Sequence, residues 1–159
     1  MSLAAPTIDD LKPQGGDSLK GATALVRVDF NVPRDKDGQI SDDTRIRAAL
    51  PTLQRLADLG ARVVCLMHLG RPKGQVIESE RVNVIGDRLG ELLGRNVLKP
   101  DASHGDEVKA TIQASAPDAV ILLENVRFEP GETKGDRDLA RALDTGKHFL
   151  LRHRYAELV

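Results

Sequence analysis

The chain is predicted to fold as an α/β domain, with a mostly parallel sheet between two layers of helices. Three observations predict this. Apolar runs of strand length recur at residues 24–28, 61–67 and 119–123, rich in the β-branched and aliphatic side chains of buried strands. Amphipathic helical spacing fills the intervals between them. Strands that alternate with helices are joined by right-handed crossovers, which makes the strands parallel. A sheet of about four or five strands is expected.

Residues 1–22 are polar and hold Pro6, Pro13, Gly15 and Gly16. They read as an arm, with one turn of helix expected near residues 8–11. The first strand carries Ala24, Leu25, Val26 and Val28. Arg27, Asp29 and Asn31 follow at alternate positions, which share one side of an extended chain. Open α/β sheets bind ligands at the carboxyl ends of their strands. A cation, an anion and an amide at such an end fit that use; the alternative is an edge strand with a solvated face.

Asp37-Gly38 marks a turn. Residues 41–44 offer capping side chains to a helix bearing Ile46, Leu50, Leu53 and Leu56, which Gly60 ends. Pro51 lies inside it. Proline there removes a hydrogen bond at a cost of roughly 3 kcal/mol, so a kink or break is expected.

The second strand, 61–67, runs into His68-Leu69-Gly70-Arg71-Pro72-Lys73-Gly74. A helix beginning within 81–84 presents Val84, Ile85, Leu89, Leu92 and Leu93 on one face. A short strand is expected at 96–98, and a helix at 103–115 with Val108 and Ile112 inward. The third strong strand, 119–123, ends in Glu124-Asn125-Val126-Arg127-Phe128. A loop at 131–135 and a helix at 136–143 follow.

Composition narrows the function. The 159 residues suit one domain with a real core. A formal net charge of −1 argues against general nucleic-acid or membrane binding, although a local basic pocket fits inside a neutral total. Aromatic residues make up only 3%, too few for a base-stacking platform. Cys65 is the only cysteine, so no internal disulfide forms and a reducing compartment is expected. Its apolar surroundings suggest a buried, inert thiol. With no secretory leader and no apolar run near ~18 residues, a cytoplasmic protein is expected.

The chemistry gathers at the strand ends. Arg27, Asp29 and Asn31 follow the first strand, His68 and Arg71 the second, and Arg127 the third. Arginine presents a planar fork of donors suited to carboxylate and phosphate. Arg27, Arg45, Arg71 and Arg127, with His68, repel one another unless an anion sits among them. Gly70 lets backbone approach a ligand, and Lys73 adds charge. The residues thus point to a small-anion site for a phosphorylated metabolite. Against this stands the reading of each arginine as a surface residue, and of Asp29 as a salt-bridge partner for Arg27. No phosphate loop, dinucleotide fingerprint or nucleophile elbow is present. The four histidines lack metal-ligand spacing with acids.

Four segments resemble the amino-terminal domain of phosphoglycerate kinase. They are Arg27-Val-Asp-Phe-Asn-Val-Pro33, Asp43-Thr-Arg-Ile46 with Ala48-Ala-Leu-Pro-Thr52, His68-Leu-Gly-Arg-Pro72, and Leu122-Leu-Glu-Asn-Val-Arg-Phe128. They stand in the family's order. The resemblance implies a three-layer, Rossmann-like α/β/α domain over 23–146. It implies reversible phosphoryl transfer between ATP and the carboxylate of 3-phosphoglycerate, with magnesium, in glycolysis. The implied substrate contacts are Arg27, Asp29, Phe30, Asn31, Arg45, His68, Leu69, Gly70, Arg71 and Arg127. Asp29 and Asn31 orient the glycerate part, while His68, Arg71 and Arg127 hold the phosphate. Arg27 supports the loop, and Arg45, the implied catalytic residue, steadies charge on the transferring group. A monomer is implied.

Two departures bear on activity. The family's nucleotide site lies in a second domain, expected to be absent from these residues, so neither nucleotide nor metal contacts are assigned in this chain. The family also shows Asn-Asp-Ala-Phe-Gly-Thr-Ala-His-Arg after a further strand. Here the chain reads Lys147-His-Phe-Leu-Leu-Arg-His-Arg-Tyr155, and Arg154 does not inherit the role of that last arginine. Residues 147–159 are therefore expected as a divergent tail. A frameshift is one account of it, since Leu150-Leu-Arg-His-Arg154 read one base later can encode Phe-Cys-Gly-Thr-Ala. The lone chain is expected to turn over negligibly. A non-catalytic 3-phosphoglycerate-binding fragment and a truncated product without function are the alternatives.

Overall fold

The computed structural model describes residues 19–143 and, for the backbone, 148–152. The turn of helix expected near 8–11 and most of the arm lie outside these residues, as do 144–147 and 153–159 of the chain's end. Five parallel strands form one sheet in the order β3-β4-β2-β1-β5. They are β1 (Thr23–Arg27), β2 (Arg62–Leu66), β3 (Val97–Leu98), β4 (Val120–Leu122) and β5 (His148–Arg152). The helices are α1 (Thr44–Asp58), α2 (Asn83–Leu93), α3 (Asp106–Ala114) and α4 (Arg137–Leu143). β5 lies within the stretch expected as tail and pairs in parallel with β1, Leu25 facing Leu150.

A parallel sheet needs cover on both faces, and the side-chain alternation supplies two apolar surfaces. Ala24, Val26, Val63, Cys65, Val120 and Leu122 share one cluster with Ile46, Leu53 and Leu56 of α1 and Ile85 and Leu89 of α2. Leu25, Val64, Leu66 and Ile121 point the other way, onto Val108 and Ile112 of α3, with Leu143 of α4 beside them. The three layers expected from the sequence are present. Cys65 sits in the first cluster, and burial pushes its thiol up to about 12, which leaves it protonated and inert.

One local expectation differs and one is met. α1 runs unbroken through Pro51. Its buried stripe of Ile46, Ala49, Leu53, Leu56 and Ala57 presses both halves onto the sheet, while Pro51 lies on the exposed side. The carbonyl orphaned by the missing N–H belongs to Arg47, also exposed, and water can satisfy it. The helix start is capped from within residues 41–44, as expected. Asp43 makes no capping bond. Its carboxylate binds Arg47 at 2.8 Å and Arg88 of α2 at 2.7 Å, fastening one helix to the next. Asp42 accepts from the Thr44 N–H at 2.8 Å instead.

The strand ladder continues past the strand ends. Val28 N donates to Leu66 O at 3.0 Å, Leu123 N to Cys65 O at 3.0 Å, and Val126 N to Met67 O at 3.1 Å. The loops that leave β1, β2 and β4 therefore start in fixed register.

Because α1 is continuous and Pro51 exposed, Pro51→Ala restores a helical hydrogen bond. Urea denaturation is expected to show a gain of about 1–3 kcal/mol, set by proline's helix penalty less its restraint on the unfolded chain. A loss of stability would mean that the ring packs better than it disrupts.

Candidate functional site

Alternation persists for five residues past the end of β1. Val28, Phe30 and Val32 are buried, while Arg27, Asp29 and Asn31 are partly exposed on the opposite side. The apolar residues anchor the segment in the core and hold the polar ones at the rim.

Arg27 closes β1. Its Nη2 donates to Oε1 of Glu132 at 3.2 Å and lies 3.4 Å from His68 Nδ1. Arg127, in the 3-10 turn after β4, donates from Nε to Oε2 of the same Glu132 at 3.2 Å. One carboxylate, 9% exposed, thus links two arginines from different strand ends. Arginine has no acceptor, so the contact to His68 Nδ1 requires a neutral imidazole with its proton on Nε2. The electrostatics agree. Burial holds His68 below its ordinary value, Arg127 and Arg27 push the same way, and Glu132 and Asp29 oppose them.

A second group sits beside the first. Asp29 Oδ2 accepts from Arg45 at 2.7 Å, and Asp29 Oδ1 from the Asn31 N–H at 3.3 Å. The aspartate's partner is therefore Arg45, on α1, rather than Arg27. Asn31 Oδ1 accepts from Gly70 N at 3.1 Å, tying the first loop to the second. Gly70 has φ +63°, and a Cβ there would collide with the Glu80 carboxylate. Only glycine fits.

The remaining expected residues take different places. Phe30 and Leu69 are buried at 0% and 1% exposure, so their side chains belong to the core and only their backbone reaches the rim. Arg71 is exposed, its N–H donates to Glu80 Oε1 at 3.4 Å, and its guanidinium pairs with no described residue.

Two buried residues without an expected role organise these loops. Asn125 is fully buried. Its Oδ1 accepts from the N–H groups of Leu69 and Arg127, each at 3.1 Å. Its Nδ2 donates to the carbonyls of Leu69 at 2.8 Å and Glu80 at 3.0 Å. One amide fixes the loop of His68 and Arg71 against the turn of Arg127. Glu124, 4% exposed, takes Arg81 at 2.9 Å, the Val82 N–H at 3.2 Å and the Asn125 N–H at 2.7 Å. A polar pair between Leu123 and Val126 was the available signal: a run that apolar is buried, and polar groups inside it must be hydrogen-bonded.

Elsewhere, a cleft of about 580 Å3 between the start of α1 and α2 is lined by Asp43, Arg47, Arg88 and Glu91 among others. These four already pair with one another. The strand-end cluster differs, because its cations outnumber its acids.

Fold and rim together define a parallel α/β domain with a basic site at its strand ends. Residues 14–150 match the family model described as phosphoglycerate kinase, and the chain belongs to that family. It is 56% identical over 125 residues to the phosphoglycerate kinase of Acaryochloris marina, a match covering 79% of this chain and 31% of the relative. To that of Nostoc punctiforme it is 53% identical over 131 residues, covering 82% and 32%. The solved phosphoglycerate kinase of Coxiella burnetii superposes with a TM-score of 0.72 at 29% identity, over 87% of this chain and 34% of that one. That of Pyrococcus horikoshii gives 0.70 at 28% identity, over 85% and 34%. The chain spans about a third of the length of the curated relatives it matches.

Two predictions follow from the geometry. Asn125→Ala strands two N–H groups and two carbonyls, and is expected to destabilise the fold by about 3–5 kcal/mol in chemical denaturation. His68, with its pKa depressed, binds fewer protons folded than unfolded below its ordinary value. Its contribution is complete above that value and is lost as pH falls through the folded pKa. NMR titration is expected to find the His68 ring neutral at pH 7 and titrating at lower pH than a free histidine. A raised value would contradict the Arg27 contact.

Proposed function

We propose that this chain holds 3-phosphoglycerate at the carboxyl ends of β1, β2 and β4, as the substrate side of a phosphoglycerate kinase. The observation that carries the reading is the gathering of Arg27, His68 and Arg127 from three strand ends around one carboxylate. Family membership supports the substrate.

In this reading the phosphate lies against His68 Nε2–H, the terminal nitrogens of Arg127 and the open guanidinium of Arg71. All are donors, as a phosphate requires. Asp29 accepts from the glycerate hydroxyl, and Asn31, whose amide nitrogen has no described acceptor, donates to the glycerate part. Phe30, Leu69 and Gly70 shape the wall through their backbone. Arg27 braces His68. Arg45, with a side chain 52% exposed beside Asp29, faces the transferring group and offsets its charge. Phosphoryl transfer is catalysed mainly by positioning and electrostatics, so a residue of this kind suffices as the catalytic group on this side.

The family's reaction uses ATP and magnesium. Among the described residues no group of three or more His, Cys, Asp or Glu side chains is placed to hold a metal ion. The roles assigned above involve no metal. No described helix is long and apolar enough to cross a membrane. A glycolytic role goes with a cytoplasmic protein, and the family resemblance with a monomer.

Thermal denaturation of the purified 159-residue chain tests the reading. A ligand bound only by the native state raises Tm. At about a hundred times Kd it adds about 2.7 kcal/mol, or roughly 5–10 °C for a domain of this size. 3-Phosphoglycerate is expected to give such a rise, and glycerate lacking the phosphate a much smaller one. No rise at millimolar 3-phosphoglycerate would overturn the assignment.

A further inference from the structure

Glu132 is an acid in the middle of a site built for acids. It comes from a 3-10 turn, Glu132–Lys134, rather than from a strand end. The turn holds it firmly: Glu132 N donates to Glu129 O at 3.2 Å and Asp136 N to Gly131 O at 3.1 Å. Its two oxygens are divided, one to Arg27 Nη2 and one to Arg127 Nε, both at 3.2 Å.

Which nitrogen of Arg127 is engaged matters. Nε is the donor nearest the main chain. Binding there leaves Nη1 and Nη2 without a described acceptor, and these two form the end of the fork. A carboxylate that merely occupied a vacant anion position would take the outward donors. At Arg127 Glu132 takes the inward one, from a position 9% exposed, while at Arg27 it takes the terminal Nη2 on the side of His68. It grips the guanidinium from behind.

From this geometry we infer that Glu132 is a positioning residue for anion binding: it aims the terminal nitrogens of Arg127, and through Arg27 the ring of His68, at the ligand phosphate, and remains in place when the ligand binds. The inference rests on the 3-phosphoglycerate reading above. Physically, two guanidiniums at short range repel, and each long side chain has many rotamers. A shared carboxylate cancels the repulsion and selects one rotamer for each. The negative charge lowers the pocket's net positive charge, so a simple electrostatic count expects tighter anion binding without it. Positioning expects the reverse. The sign of the effect therefore separates the two.

The experiment measures 3-phosphoglycerate and inorganic sulfate binding to the full chain by calorimetry, for wild type and Glu132→Gln, which keeps size and removes charge. Wild type is expected to prefer 3-phosphoglycerate over sulfate. Glu132→Gln is expected to bind 3-phosphoglycerate at least tenfold more weakly and to lose most of that preference. Unchanged or tighter binding by a folded Glu132→Gln chain overturns the inference and leaves the proposed function standing. No binding by wild type overturns both. A second measurement needs no variant: the Arg127 Nε–H resonance of wild type, observed by NMR, is expected to stay protected from exchange in free and ligand-saturated protein. Loss of protection on saturation shows that the ligand displaces Glu132, and overturns the inference even if Glu132→Gln does not fold.

Discussion

A parallel sheet covered on both faces leaves its polar chemistry one place to emerge, the ends of its strands. The remaining organisation of this domain depends on that constraint. Ala24, Val26, Val63 and Cys65 face α1 and α2, while Leu25, Val64 and Ile121 face α3. Arg27 and Arg127 appear at the first positions where the backbone leaves the layered core, and His68 one residue beyond buried Met67. Hydrogen bonds that prolong the ladder past the strand ends carry the register into the loops. Three residues widely separated in the chain meet because the strands that bear them are locked side by side.

The rim adds its own layer of control, made of polar groups that have no water to turn to. Asn125 offers two donors and two acceptor sites, and all four are used on backbone from three segments. Glu124 secures the start of α2 through Val82 and holds Arg81. Buried polar groups of this kind add little net stability when satisfied and cost much when one partner is lost. They therefore specify one loop arrangement strongly while contributing modestly to the total free energy. A basic site needs that arrangement, because its own like charges push it apart.

Much of the architecture was legible because period and punctuation agreed. Strands, helices and their alternation follow from the spacing of Ile46, Leu53 and Leu56, and from the runs around Val64 and Ile121. Pro51 was legible only as a local cost. That the buried stripe on either side outweighs it is a tertiary fact. Asp43 reads as a cap by residue type, but a carboxylate near two arginines binds them in preference to a single N–H. At the site, the cations were legible as types placed at strand ends. Their partners were not. Asp29 stands two residues from Arg27 yet pairs with Arg45, and Glu132 pairs with Arg27 across 105 positions. Pairings at that range depend on where a 3-10 turn sets its side chains, and no periodicity in the sequence encodes this.

On the proposed reading, a near-neutral chain holds a multiply charged anion through the arrangement of its strand-end cluster. A formal net charge of −1 gives no long-range attraction. Local arrangement supplies it. Asp29 is committed to Arg45, and Glu132 to Nη2 of Arg27 and Nε of Arg127. Arg71 and the terminal nitrogens of Arg127 are left open. His68 stays neutral beside them, since burial and then the positive charges of Arg127 and Arg27 disfavour its imidazolium. On the proposed reading the phosphate accepts from His68 Nε2–H while Nδ1 keeps accepting from Arg27, so the ring serves as the neutral tautomer. A dianion is then expected to be favoured over a monoanion, because the more charged ligand offsets more of the repulsion between the arginines.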